Sequence, residues 1–107
     1  MTDFNDRRGA EEAKYARDEE MRFRIHARRN RLLGTWAAER MGLNPAETES
    51  YGKSVVQADF EEAGDEDVIR KVLGDLLTAG QDADDAQVRA ALEACEVEAR
   101  RALMGGV

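Results

Sequence analysis

Apolar side chains are spaced at helical intervals along most of this chain, and the pattern becomes clear at Met21. At about 100° per residue, Met21, Ile25, Leu32 and Trp36 fall within about 60° of one another, and Leu33 widens the arc. Phe23 and Met41 project away from that face, so each needs another neighbour or stays partly exposed. The stretch "RMGLNP" ends this first helix. Gly42 suits the left-handed position after a helix, Leu43 supplies the accompanying apolar contact, and Asn44 caps a new helix opened by Pro45, with Glu47 completing a capping box.

The second helix is predicted from Pro45 to about Glu62, with Tyr51 and Val55 in one row, Val56 and Phe60 in another, and Gly64 ending it. Asp65 is placed to cap a third helix whose first turn carries Glu66 and Asp67, where acids meet the positive end of the helix dipole. Its rows are Val68, Val72, Leu76 and Ile69, Leu73, Leu77, and Gly80 stops it. Either Asp82 or Asp84 can cap the fourth helix, and Asp84 with Gln87 three residues on is the better box. That helix presents Val88, Leu92, Cys95, Ala99 and Leu103 on one side. One proline and little β-branched alternation argue against sheets. The expected architecture is all-α: a four-helix bundle over residues 21–107, with a long first helix and a flexible, helix-prone segment over residues 1–20.

That first segment, "MTDFNDRRGAEEAKYARDEE", is rich in helix formers yet has little with which to pack. Phe4 and Tyr15 share a face to within about 20°, but Arg8, Glu11 and Glu12 interrupt it and Gly9 weakens the helix. Such a segment is either a solvated tail or a piece of chain that folds on a partner.

Composition narrows the choice of function. At 107 residues the chain makes one domain, and no apolar run approaches a membrane span or a signal peptide, so a cytoplasmic protein without direct membrane insertion is expected. Its single cysteine permits no internal disulfide. The net charge of −7 is unevenly placed: residues 1–20 carry seven acids against four bases, residues 21–41 six arginines against Glu39, and residues 42–107 fifteen acids against six bases. The balances are therefore −3, +5 and −9.

The basic stretch contains "RFRIHARRNR", with Arg22, Arg24, Arg28, Arg29 and Arg31. Arginine clusters bind phosphate backbones, so a nucleic-acid-binding or general protein-interaction bundle using residues 22–31 is the alternative reading. The acidic remainder of the chain and the lack of a nucleic-acid-binding signature speak against nucleic acid, and Asp18 and Glu20 stand four residues before Arg22 and Arg24, ready to pair with them. His26 reads as a surface residue and Cys95 as a buried, inert thiol. "EEAGDED" and "DADD" lack the ligand spacing of a calcium loop, and no glycine-rich phosphate loop is present. No catalytic residue, metal site, cofactor or enzyme activity is expected.

Two stretches, "AKYARDEEMRFRIHARRNRLLGTWAAERMGL" and "DFEEAGDEDVIRKV", resemble the alphaproteobacterial zeta subunit family that inhibits F-type ATP synthase. The similarity covers most of the chain and is densest in "ARRNRLLGTWAAE" and "GDEDV". The resemblance implies a four-helix bundle whose N-terminal segment enters a catalytic interface of the ATPase and blocks ATP hydrolysis, with the catalytic sector of the synthase as partner. Carried over by position, it makes Phe4, Asp6, Arg7, Glu12, Lys14, Tyr15, Ala16, Asp18 and Glu20 the partner-binding residues. It also places Arg28, Arg29 and Arg31 within the bundle as structural residues. Gly9, where the family pattern has a helix former, and Ala63, where it often has proline, depart from the family.

Overall fold

The computed structural model describes the backbone of residues 2–59 and 64–105 and the side chains of residues 17–59 and 64–105. It contains four helices: α1 (Thr2–Met41), α2 (Pro45–Ala58), α3 (Glu66–Thr78) and α4 (Asp85–Leu103). Helix α1 packs against all three others, most extensively against α2 and α4, while α2 and α4 lie across the diagonal from each other. A 40-residue helix is about 60 Å long at 1.5 Å per residue, and the molecule measures 66 × 27 × 25 Å. The long axis is therefore essentially that of α1.

Local sequence sets most helix ends. Gly42 adopts φ 72°, and the Leu43 amide donates to Ala38 O (3.0 Å) while Gly42 donates to Glu39 O (3.2 Å), the paired bonds of a Schellman turn. Gly80, at φ 81°, repeats the device through Gln81 to Leu76 O (2.9 Å) and its own amide to Leu77 O (3.0 Å). Both predicted capping boxes form. Glu47 N donates to Asn44 Oδ1 (2.8 Å) and Asn44 N to Glu47 Oε1 (3.0 Å); Gln87 N donates to Asp84 Oδ1 (2.8 Å) and Asp84 N to Gln87 Oε1 (3.1 Å).

The core gathers Leu33 and Ala37 of α1, Val55 of α2, Val68, Ile69, Val72 and Leu76 of α3, and Val88, Leu92 and Cys95 of α4. Each fully buried large side chain here contributes roughly 1.5–3 kcal/mol. Helix α1 turns a different face inward from the one its large apolar residues suggest. Leu33, Ala37 and Ala38 are wholly buried, whereas Leu32 and Trp36 are half-buried. The cause is the small alanines, which carry little weight in a hydrophobic pattern but allow close packing. Trp36 lies at the edge of the core with the Arg40 guanidinium 4.5 Å from its ring centroid, a cation–π contact.

Two further expectations are corrected. Helix α2 ends at Ala58, before the predicted Glu62, with Asp59 in a turn whose amide donates to Val56 O; Phe60 lies outside the described residues. Leu77, assigned to an inward row, is 53% exposed, and its neighbour in that row, Leu73, is half-buried. Met41 packs against the core, the further neighbour it required, while Phe23 is exposed as expected. At the edge of the core, Tyr51 of α2 donates its hydroxyl to Asp75 of α3 (2.8 Å), and Lys71 donates to the same carboxylate (3.1 Å). Burial and the Asp75 carboxylate together hold the Tyr51 phenol well above its ordinary range. Arg89 of α4 bonds both oxygens of Glu66 at the start of α3 (2.9 and 2.8 Å) and holds that carboxyl below its usual range.

The crossing of α1 and α2 depends on backbone contact. A Cβ placed on Gly34 would lie 2.7 Å from Gly52 Cα, whereas one on Gly52 would meet only Arg31 backbone atoms, at 3.8 Å. Gly74, in α3, has nothing within 4 Å of a Cβ. Thermal melts should separate the three alanine variants. Gly34→Ala must force the helices apart and should lower Tm by several degrees, a loss on the order of 1–3 kcal/mol for overpacking. Gly74→Ala should raise stability by up to about 1 kcal/mol through helix propensity alone. Gly52→Ala should fall near neutral or above; a loss as large as that of Gly34→Ala would contradict the one-sided clash.

Candidate functional site: a buried arginine at the root of helix α1

The described part of α1 divides by burial. Arg17, Asp18, Glu19 and Glu20 are exposed, Met21 is half-buried, and Ile25 is the first buried side chain. One turn beyond Ile25 comes Arg29, which is only 2% exposed and has the largest of the fully buried side chains. Its guanidinium gathers groups from every part of the bundle. Nη1 lies 3.1 Å from Asp65 Oδ1 and 3.4 Å from Glu96 Oε1, Nη2 faces Asp59 Oδ1 at 3.6 Å, and Nε donates to Asn30 Oδ1 at 3.2 Å. Asp59 closes α2, Asp65 opens α3 and Glu96 belongs to α4, so a single cation joins α1 to the other three helices.

This arrangement explains a failed cap. Asp65 occupies the N-cap position of α3, but its side chain makes no capping hydrogen bond, because its carboxylate is turned to Arg29. His26, one turn before Arg29, completes the junction. Its Nδ1 is 3.9 Å from Asp59 and its Nε2 3.8 Å from Glu96, which makes it a half-buried member of the cluster rather than the surface residue the sequence suggested. Arg100 approaches the other oxygen of Glu96 at 3.9 Å. Counting Arg29 and Arg100 against Asp59, Asp65 and Glu96, the cluster carries −1 with His26 neutral and 0 with it protonated. Two buried donors, Arg29 Nη2 and Asn30 Nδ2, have no hydrogen-bond acceptor among the described residues. The interaction at Nη2 is therefore ionic only.

The cluster is structural in chemistry as well as position. Its three carboxylates are turned onto a guanidinium, which occupies the place a cation would take, and no group of His, Cys, Asp or Glu able to hold a metal is found among the described residues. Cys95 is a buried free thiol, and burial, reinforced by Glu98 and opposed by Arg29, pushes it up to about 11. Ionising it would therefore destabilise the fold as pH rises from the usual thiol range near 9 towards 11.

The other residues singled out in the sequence are placed as follows. Glu20 accepts from Arg24 Nη2 at 2.7 Å, as the four-residue spacing predicted. Arg22 instead pairs with Glu19 (3.7 Å), and Asp18 lies in a shallow groove with Met21, Ile25, His26 and Arg100. Of the three arginines assigned to the bundle by resemblance, Arg29 alone is buried, while Arg28 and Arg31 are exposed. The side chains of Phe4, Asp6, Arg7, Glu12, Lys14, Tyr15 and Ala16 lie outside the described residues. The fold is a helical bundle whose long first helix is tied to the other three by an ion cluster.

Comparison with known proteins agrees with that class. The family described as ATPase inhibitor subunit zeta matches residues 1–102, and the chain belongs to this family. A protein whose solution NMR structure is known is similar to it, with 47% identity, a TM-score of 0.71, and coverage of 81% of this chain and 99% of the other. No curated protein matches the chain.

Replacing the central cation tests the junction. Arg29→Met leaves Asp59, Asp65 and Glu96 facing one another without their common partner and should cost about 3–5 kcal/mol, the usual penalty for removing one member of a buried ion pair. Circular dichroism should register a Tm lower by more than about 10 °C. Adding Asp65→Asn and Glu96→Gln to Arg29→Met should recover part of the loss; no recovery would mean that Arg29 acts only through the packing of its stem.

Proposed function

We propose that this chain inhibits the F-type ATP synthase by inserting the first half of α1 into a catalytic interface of the enzyme's soluble sector, where it blocks ATP hydrolysis. The family assignment supports the inhibitory role. The observation that carries the mode of action is the length of α1: it begins at Thr2, and among the described side chains, which start at Arg17, burial begins only at Ile25. A helix that outlasts its own core offers a partner a slender element able to enter a cleft that a whole bundle cannot. In this reading residues 1–20 are the inhibitory segment and residues 21–107 the bundle that holds it. Phe4, Asp6, Arg7, Glu12, Lys14, Tyr15, Ala16, Asp18 and Glu20 make the contacts with the ATPase. The chain performs no chemistry itself, and its site of action is the cytoplasmic face of the membrane, reached through the enzyme. No helix among the described residues is long and apolar enough to cross a membrane.

Deleting residues 1–19 tests both halves of this reading. The truncated chain should keep a cooperative melt, because among the described residues the buried side chains begin at Ile25 and the Arg29 junction is untouched. It should also lose inhibition of ATP hydrolysis by the isolated catalytic sector. Inhibition that survives the deletion would assign the activity to the bundle and overturn the proposal.

A further inference from the structure

Opposite its buried face, α1 carries a second arginine array that the junction does not use. At about 100° per residue, Arg17, Arg24, Arg28 and Arg31 fall within an arc of about 60°, roughly 150° away from the direction of Arg29 and Leu33. All four are exposed. Between Arg17 and Thr35 no acid of α1 falls inside this arc, and the stripe runs about 21 Å along the helix at 1.5 Å per residue. Arg24 is engaged by Glu20 at the edge of the stripe. Arg17, Arg28 and Arg31 have no ion-pair or side-chain hydrogen-bond partner among the described residues.

These cations lie on a chain with 23 acidic residues against 16 basic ones. Self-neutralisation was available, and the fold instead directs its acids elsewhere. Asp59, Asp65 and Glu96 turn to Arg29, Asp75 to Tyr51 and Lys71, and Glu66 to Arg89. Arg31 borders a shallow groove between α1 and α2, where Glu49 pairs with Lys53 rather than with the arginine.

We propose that the stripe Arg17, Arg24, Arg28 and Arg31 docks the stem of α1 on a carboxylate-bearing protein surface at the mouth of the cleft that the arm enters. The inference rests on the inhibitory reading above and adds a second, electrostatic contact to it. An acidic protein surface suits the stripe better than a phosphate backbone. The array is a single helical row, and a carboxylate, that of Glu20, already engages one of its members at 2.7 Å. The planar guanidinium fork matches carboxylates. Exposed charges of this kind act chiefly on the rate of encounter and its salt dependence, so the stripe orients the arm for entry while the arm supplies the block.

The test compares wild type, Arg28→Gln/Arg31→Gln and Arg28→Glu/Arg31→Glu as full-length chains. Each is assayed for inhibition of ATP hydrolysis by the isolated catalytic sector, and for direct binding to it, from low to high salt. Both positions are exposed, so melts should stay unchanged. Charge reversal should raise the half-inhibitory concentration by about tenfold at low ionic strength, with the glutamine pair between, and the differences should close as salt screens them. Equal inhibition and equal binding by all three chains at every salt concentration would overturn the proposal. Salt-sensitive, sub-micromolar binding of duplex DNA that is lost on charge reversal would also overturn it, by giving the stripe to nucleic acid. The same reversal in a chain lacking residues 1–19 separates the two readings. A truncated chain that still inhibits refutes the arm, whereas a truncated chain that binds, and loses that binding on reversal, supports the stripe whatever the arm does.

Discussion

The Arg29 guanidinium is the constraint on which the geometry of this protein rests. Burying a cation costs several kcal/mol unless charge and hydrogen bonds compensate, and here the compensation comes from three carboxylates on the other helices, Asp59, Asp65 and Glu96. A hydrophobic core alone leaves the end of a long helix free to roll over its neighbours, since apolar contacts are not directional. Arg29 fixes both the depth and the rotation of α1 one turn after Ile25, the first buried side chain among the described residues, and so orients the helix where it meets the other three. The close approach of Gly34 to Gly52 further along makes a second fixed point on the same helix. Between them the core residue Leu33 is wholly buried.

Charge is sorted by face in the same helix. One arginine points inward and gathers acids from three helices, while others on the opposite face have no partner among the described residues. The bundle is thereby held together by a local ion cluster, and its outer surface keeps cations available for an encounter. In the inhibitory mode proposed above, rigidity at the root and charge along the stem would serve different steps: the first would preserve the direction of the arm, and the second would bring it to the cleft. Preorganisation lowers the ordering cost of binding.

Much of the fold was legible because local rules and tertiary packing agree. Asn44 with Glu47, Asp84 with Gln87, and the glycines at 42 and 80 mark their helix ends in sequence, and the structure uses them as such. The rows Val68, Val72, Leu76 and Val88, Leu92, Cys95, Ala99 lie in the core as their spacing requires. The junction was not legible, and the reason is physical. Periodicity counts arginine as polar, and the partners of Arg29 lie 30, 36 and 67 residues away, beyond any local pattern. Asp65 looked like an ordinary cap because the competing cation is distant in sequence. Two signals were present: an arginine in phase with Ile25 and Leu33, and a histidine one turn before it. Gly34 was likewise silent, since a glycine in a helix reveals close packing only when the facing backbone is known.

The account stands most directly on a cryo-electron microscopy structure of this chain bound to the F-type ATPase catalytic sector during hydrolysis. It predicts α1 as one helix from the Arg29 junction outward, with residues 1–20 between catalytic subunits, the bundle outside the cleft and the Arg28 and Arg31 side of the stem facing acidic residues at its rim. A complex in which the bundle binds the ATPase while residues 1–20 extend into solvent would contradict it.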